Sequence, residues 1–209
     1  MRGQPIHFSG AALGEYRHVC AFFEGPEDEY RVTIPFLKEG IERNERALYI
    51  VDPEARADSL RRIQDAGVPV DELAESGQCE VHTWKETYLR AGRFQAGGML
   101  KMVEEILTAG RGPFGLTRLV GHVEWAPRDQ ANTSELLEYE TRLNLLLPNH
   151  PDPVVCAYQT SKWGAGAVMD ILRTHPVVMI GGVMHENPFS VPPDEFLREL
   201  RERSETAHA

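Results

Sequence analysis

Residues 18–29, His18-Val19-Cys20-Ala21-Phe22-Phe23-Glu24-Gly25-Pro26-Glu27-Asp28-Glu29, decide how the rest of the chain is read. The first half is a continuous apolar run, the pattern of a strand covered on both faces. The second half is a turn into a helix, where a nucleotide-binding α/β fold would carry its phosphate loop. Such a loop needs glycines so that backbone N–H groups can wrap the phosphates, a lysine for charge, and a serine or threonine for magnesium. Glu24–Glu29 has one glycine, no lysine, no serine or threonine, and four carboxylates. A polyphosphate there meets like charges at close range, and Pro26 removes a backbone donor. No other segment has G-x-x-x-x-G-K-[ST], or G-x-G-x-x-G after a strand. The plainer reading, that these acids only cap a helix N-terminus, also predicts no NTPase.

Outward from this stretch, short apolar runs alternate with helical patterns. The runs are His18–Phe23, Arg46–Val51, Cys79–Thr83, Thr117–Val123, Val154–Tyr158 and Val177–Ile180. Tyr30, Ile34, Leu37 and Ile41 recur on one helical stripe, with Pro35 expected to kink it. Met99, Met102, Val103, Ile106 and Leu107 form a second stripe. A third helix is predicted from Asn132, where Asn132 and Glu135 have capping-box spacing, through Leu136, Tyr139, Leu143 and Leu147. A fourth covers 165–174, and a last one follows Pro192-Pro193. Six strands alternating with helices predict an α/β fold of three layers, a mostly parallel central sheet with helices on both faces. Ligands of such sheets bind at the carboxyl ends of the strands. Residues 1–14 are expected to be a flexible N-terminal segment, 15–203 a single domain and 204–209 a tail.

Composition narrows the function classes. The 209 residues are 42% hydrophobic and 26% charged, with a formal net charge of -10. That balance lacks the cationic field that nucleic-acid backbones attract, so no direct nucleic-acid partner is expected. No run approaches the ~20 apolar residues that cross a bilayer, and the N-terminus has no signal-peptide core. Cys20, Cys79 and Cys156 lie far apart without a CxxC, as in a reducing cytoplasm.

The order of segments resembles a known family. His18-Val-Cys-Ala-Phe-Phe-Glu24, then Pro35 to Asp52, looks like the start of the MEDS domain, the sensory domain of methanogen and methylotroph regulators. The similarity continues through Thr87–Phe94, Glu124-Trp125-Ala126, Leu137–Asn144, Leu172–Pro176 and Glu186-Asn187-Pro188-Phe189, covering roughly residues 15–200. The resemblance implies a RecA/KaiC-like fold without the phosphate loop, in agreement with the acidic turn. It also implies a signal-sensing module for a small organic ligand, acting on a histidine kinase or a transcription regulator. Self-association is compatible with that fold. This sequence has no room for a kinase or helix-turn-helix module, so output is expected through a separate partner.

Strand carboxyl ends converge on one rim, bringing Phe22, Phe23 and Glu24, then Asp52 and Glu54, Thr83 and Trp84 with Tyr88 beyond, Glu124 and Trp125, and Tyr158 and Gln159. Aromatics with a few carboxylates suit a small organic or cationic ligand, and the alternative is that they close the end of the core. The ligand-binding residues expected are His18, Cys20, Phe22, Glu24, Trp84, Tyr88, Glu124, Trp125, Glu140 and Tyr158. Glu140 lies beside an apolar stripe, and a buried carboxylate wants a partner, for which Arg142, Arg118 and Tyr158 are in line. His18 and Cys20 share a strand face, with His82 and His122 on other strands, yet no pair has the spacing of a known metal site, so no metal or cofactor is expected. Without a G-x-S-x-G elbow no catalytic residue is expected either. The reading is a non-catalytic sensory domain; a divergent nucleotide- or metal-dependent hydrolase and a ligand-free adaptor are the competing classes.

Overall fold

The computed structural model describes residues 5–128 and 130–207. All six apolar runs form strands. In chain order the strands are β1 (His7–Phe8), β2 (Ala11–Ala12), β3 (His18–Phe23), β4 (Arg46–Val51), β5 (Cys79–Thr83), β6 (Thr117–His122), β7 (Val154–Gln159), β8 (Val177–Ile180) and β9 (Val183–Glu186). The helices are α1 (Pro26–Glu42), α2 (Arg56–Asp65), α3 (Val70–Glu75), α4 (Ala96–Leu107), α5 (Gln130–Leu146), α6 (Ala165–Arg173) and α7 (Pro193–Ala207). Seven strands make one sheet in the order β5-β4-β6-β7-β3-β8-β9. Its pairs are parallel apart from the β8–β9 hairpin. That hairpin turns at Gly181-Gly182, both at positive φ, where glycine carries no Cβ penalty.

Every residue of β3, β4 and β6 is buried, as continuous apolar runs require when helices cover both faces. Alternation along each strand sorts the side chains. Cys20, Phe22, Cys156 and Tyr158 join the core beneath α4–α7, with Met99, Leu136, Ile171 and Phe196. Val19, Ala21, Phe23 and Tyr49 join the opposite core, with Leu37 of α1, Ile63 of α2 and Val70 at the start of α3. The result is the three-layer α/β architecture with a mostly parallel sheet.

α1 runs through Pro35, as the stripe on both sides of it predicts, and its buried face, Tyr30, Ile34 and Leu37, holds the helix where one backbone bond is missing. Other local features differ from expectation. α2, RADSLRRIQD, is so polar that its inward face is only Ser59, Ile63 and the partly buried Leu60, too little for an apolar stripe to mark it. Residues 5–14, expected as a flexible segment, carry a two-stranded hairpin. Ser9 and Gly10 at positive φ turn the β1–β2 hairpin, and Phe8 meets Phe36 edge-on at 5.2 Å between centroids. α7 carries on through residues 204–207 of the expected tail, while 1–4 and 208–209 lie outside the described residues. α5 begins at Gln130, before the predicted start, and the Asn132 side chain lies outside the described residues. Glu135 accepts a hydrogen bond from the Ala96 N–H at 3.0 Å, so it caps the neighbouring α4.

Packing is tight where Tyr88 crosses β6. A Cβ at Gly121 would stand well inside 3.0 Å of the Tyr88 hydroxyl. Gly121→Ala is therefore expected to cost ~1–3 kcal/mol, and Tyr88→Phe in the same chain to recover part of it. Urea unfolding of the two single variants and the double variant measures this, and strict additivity would contradict the contact.

Candidate functional site

β7 and β3 are paired in register, Cys20 beside Cys156 and Phe22 beside Tyr158, and β8 joins β3 on its other side. This order brings the amino end of β3 against the loop between α6 and β8, with α5 packed above both strands. Four buried side chains meet there: His18 from β3, Glu140 from α5, Cys156 from β7 and His175 just before β8. Glu140 is the hub. Its Oε2 lies 3.1 Å from His18 Nε2, 3.5 Å from His175 Nε2, and accepts from the Cys156 thiol at 3.2 Å. Its Oε1 accepts from the Tyr158 hydroxyl at 2.8 Å.

The electrostatics follow from burial and this hub. Burial pushes the Glu140 carboxyl up, but the His175 and His18 imidazoles facing it overrule that effect and hold it well below the usual carboxylate range. Burial, and then the Glu140 charge, push the Cys156 thiol well up. Burial, and then His18, lower His175.

A cleft of about 710 Å³ opens onto this cluster from the amino-terminal edge of the sheet. His18 and Asn144 line it, together with Tyr16, Leu147, Pro148, Val191 and Pro192. Asn144 Oδ1 lies 2.9 Å from His18 Nδ1, so the cleft wall is one bond from the buried hub.

The carboxyl ends of the strands hold a second polar cluster on the opposite face of the sheet. Glu29 of α1 accepts from the Tyr49 hydroxyl at 2.5 Å and pairs with His122 Nε2 at 2.5 Å. His122 Nδ1 faces Glu124 Oε2 at 3.3 Å, and Glu124 Oε1 accepts from the Gln159 N–H at 3.3 Å. All four side chains are buried. The acidic turn is also committed. The Glu24 N–H donates to Asp28 at 3.3 Å, Glu27 pairs with Arg62, and Asp28 pairs with Arg31.

The expected ligand residues therefore divide. Glu140 is fully buried and Tyr158 is its partner, whereas Arg118 binds Glu45 and Glu39, and Arg142 binds Glu138 on the surface. His18 is on the hub, at the amino end and not on the carboxyl rim. Cys20 lies beside it on the same strand face. Phe22, Trp84, Tyr88 and Trp125 are buried in the core under α4 and α5. There Trp125 stacks within 4.5 Å of Phe94 and 5.6 Å of Tyr88, and Tyr88 also lines a separate cleft of about 400 Å³ beside Met99 and Met102. Glu24 is exposed and stands apart. Glu124 belongs to the His122 cluster. His82 pairs with Glu80 at the sheet edge, 2.8 Å away, far from the other histidines in sheet order. Sequence reasoning missed Cys156, His175 and Asn144 as site residues. The signals at hand were the period-2 match of Cys156 with Tyr158 and the presence of Asn144 and His175 within the family-like segments 137–144 and 172–176; their meeting is set by strand adjacency.

Among the described residues no helix is long and apolar enough to cross a membrane. The family model "MEDS: MEthanogen/methylotroph, DcmR Sensory domain" matches residues 17–176. The transcriptional repressor DcmR of Methylorubrum extorquens is 24% identical over 170 residues, which is 80% of this chain and 61% of the repressor. The chain thus matches less than two thirds of that relative's length. The crystal structure of flagellar accessory protein FlaH from Methanocaldococcus jannaschii is similar with a TM-score of 0.50, at 10% identity, over 81% of this chain and 75% of FlaH. That likeness concerns the fold alone.

Proposed function

This chain belongs to the family of MEDS sensory domains, and from that premise we propose that it is a non-catalytic sensor that takes a small organic ligand into the amino-end cleft and regulates a separate signalling protein. A sensory family and a repressor among its relatives support a regulatory role. The observation that carries the ligand reading is the place of His18. It is both a wall of the cleft and a member of the buried hub, so a ligand touching it acts on β3, β7 and α5 together. About 710 Å³ lies within the roughly 300–1,000 Å³ of small-molecule sites. Leu147, Pro148, Val191 and Pro192 offer apolar contact, and the bonded pair Asn144 and His18 forms the polar part of the wall.

The engaged Glu24 N–H and the paired acids of the turn support an ATPase-like architecture without a phosphate site. Three buried, unpaired cysteines suit a cytoplasmic setting. The partner is a histidine kinase or a transcription regulator, and signalling requires the ligand to bind one of two conformations more tightly.

A thermal-shift panel of small organic compounds tests the reading. A true ligand at 100 times its Kd adds about 2.7 kcal/mol of stability, and Ser190→Trp, which fills the cleft from its exposed wall, is expected to abolish that gain. Mg-ATP is expected to add none. Unchanged affinity in Ser190→Trp would remove the ligand from this cleft. ATP turnover abolished by Glu124→Gln would replace the sensor with a hydrolase.

A further inference from the structure

The hub has one more property, independent of the ligand reading: its neighbours turn four donor atoms toward one buried centre. Thr174 Oγ donates to the Ile171 carbonyl at 2.8 Å, so its lone pairs face His175 Nδ1 at 2.8 Å. The same Nδ1 lies 2.9 Å from the Ile171 carbonyl oxygen. Both neighbours are acceptors, so Nδ1 carries the proton and the Nε2 lone pair points into the hub. That buried Nε2 has no hydrogen-bond partner, and it faces a carboxylate oxygen 3.5 Å away. His18 repeats the arrangement. Asn144 Nδ2 donates to the Thr174 carbonyl at 2.5 Å, which turns Oδ1 toward His18 Nδ1 at 2.9 Å. Nδ1–H of His18 is thereby committed outward, and its Nε2 faces Glu140 at 3.1 Å and Cys156 Sγ at 3.5 Å. Two imidazole nitrogens, a carboxylate oxygen and a thiol sulfur thus converge in a buried core, where charged and polar groups need a partner.

We propose that His18, Glu140, Cys156 and His175 form a four-coordinate site for a borderline-soft divalent transition metal, with Zn²⁺ as the type ion. Ligand-to-metal bonds of 2.0–2.3 Å place tetrahedral ligands ~3.3–3.8 Å apart. The four distances that the hub shows, 3.1, 3.2, 3.5 and 3.5 Å, sit at or just inside those edges, and all four ligand atoms lie within 4.8 Å of one another. Mixed nitrogen, sulfur and carboxylate donors suit such an ion and not magnesium or calcium. Ring N–H groups committed to a carbonyl and an amide oxygen are the outer shell that fixes metal-binding histidines. A divalent ion with one thiolate and one carboxylate leaves the buried centre neutral. With all four positions filled by protein the ion is structural, clamping β3, β7, α5 and the α6–β8 junction. On binding, the Cys156 thiol proton passes to solvent.

The full chain, stripped with a chelator and then titrated with Zn²⁺ against a chromophoric competitor, is expected to bind one ion per chain. Co²⁺ in its place is expected to give tetrahedral ligand-field bands and a thiolate-to-cobalt charge-transfer band. Cys156→Ser should remove that charge-transfer band, and Cys156→Ser and His175→Gln should each weaken Zn²⁺ at least ~10-fold. His82→Gln, at the sheet edge, should change nothing. Absence of binding by the wild-type chain, an octahedral cobalt spectrum, or a charge-transfer band that survives Cys156→Ser overturns the site. The wild-type titration and spectrum decide the matter even where a variant fails to fold.

Discussion

Replacing His122 with glutamine is expected to destabilise the fold by about 3–5 kcal/mol at pH 7, the scale of removing one member of a buried ion pair. His122 stands between Glu29 and Glu124, with Nε2 2.5 Å from one carboxylate and Nδ1 3.3 Å from the other. Glutamine keeps a polar head but no charge, and it leaves two buried acids facing each other beside Tyr49. The pH dependence has a definite sign. Burial alone would lower His122, but Glu29 and then Glu124 overrule it and raise it well above the ordinary imidazole value. A raised imidazole contributes stability that is fully present below about pH 6.5 and is lost as pH rises through its folded value. Burial pushes Glu124 up, but His122 outweighs it and holds the carboxyl below its ordinary 4.5. Glu124 therefore contributes above that value and loses its contribution as pH falls through the lowered one. Urea midpoints from pH 5 to 9 should show a wild-type stability that declines on the alkaline side. The His122→Gln variant should lack that decline. A variant within about 0.5 kcal/mol of wild type, or a parallel pH profile, would mean that the carboxyl-end cluster does not act as an ion pair. The outcome also bears on function, because it separates a structural role for Glu124 from the ligand contact that its strand-end position suggests.

Arg118→Leu is expected to cost a similar ~3–5 kcal/mol. Arg118 is fully buried on β6, where its Nε donates to Glu45 at 2.6 Å and its Nη1 to the Phe36 carbonyl and Glu39, both at 2.8 Å. Its guanidinium also lies over the Phe36 ring at 4.8 Å. One side chain thus fastens the last turns of α1 and the turn before β4 to the centre of the sheet. Leucine fills part of the volume and strands the buried Glu45 charge. Arg118→Lys keeps the charge but not the planar fork, so an intermediate loss is expected. Arg118→Leu with Glu45→Leu should recover part of the stability, because an apolar pair removes the stranded charge. A double-mutant cycle in urea measures the coupling. A single variant near wild type, or a double variant that is strictly additive, would contradict the contact.

Much of the fold was legible in linear sequence. The six strands carry β-branched and aromatic runs, and the helices with apolar stripes, such as Tyr30-Ile34-Leu37, announced themselves by period. α2 did not, since its inward face is only Ser59, Leu60 and Ile63. Glu140 was legible as a buried acid because it interrupts an apolar face, and Tyr158 was among its expected partners. The aromatics Trp84, Tyr88 and Trp125 were equally visible as residue types, but whether they line a pocket or close a core depends on the helices laid over them. α4 and α5 bury all three.

Periodicity and local chemistry by themselves determined that this chain is a covered parallel sheet whose first turn has neither the glycines nor the cation of a phosphate loop. Those properties belong to residues a few positions apart, and covalent geometry alone sets them. The meeting of residues 18, 140, 156 and 175 was decided only by tertiary structure. It requires β3 to insert between β7 and β8 while α5 crosses above them, an order chosen by how crossover helices bury both faces of the sheet. Spacings of 122, 16 and 19 residues carry no trace of that order.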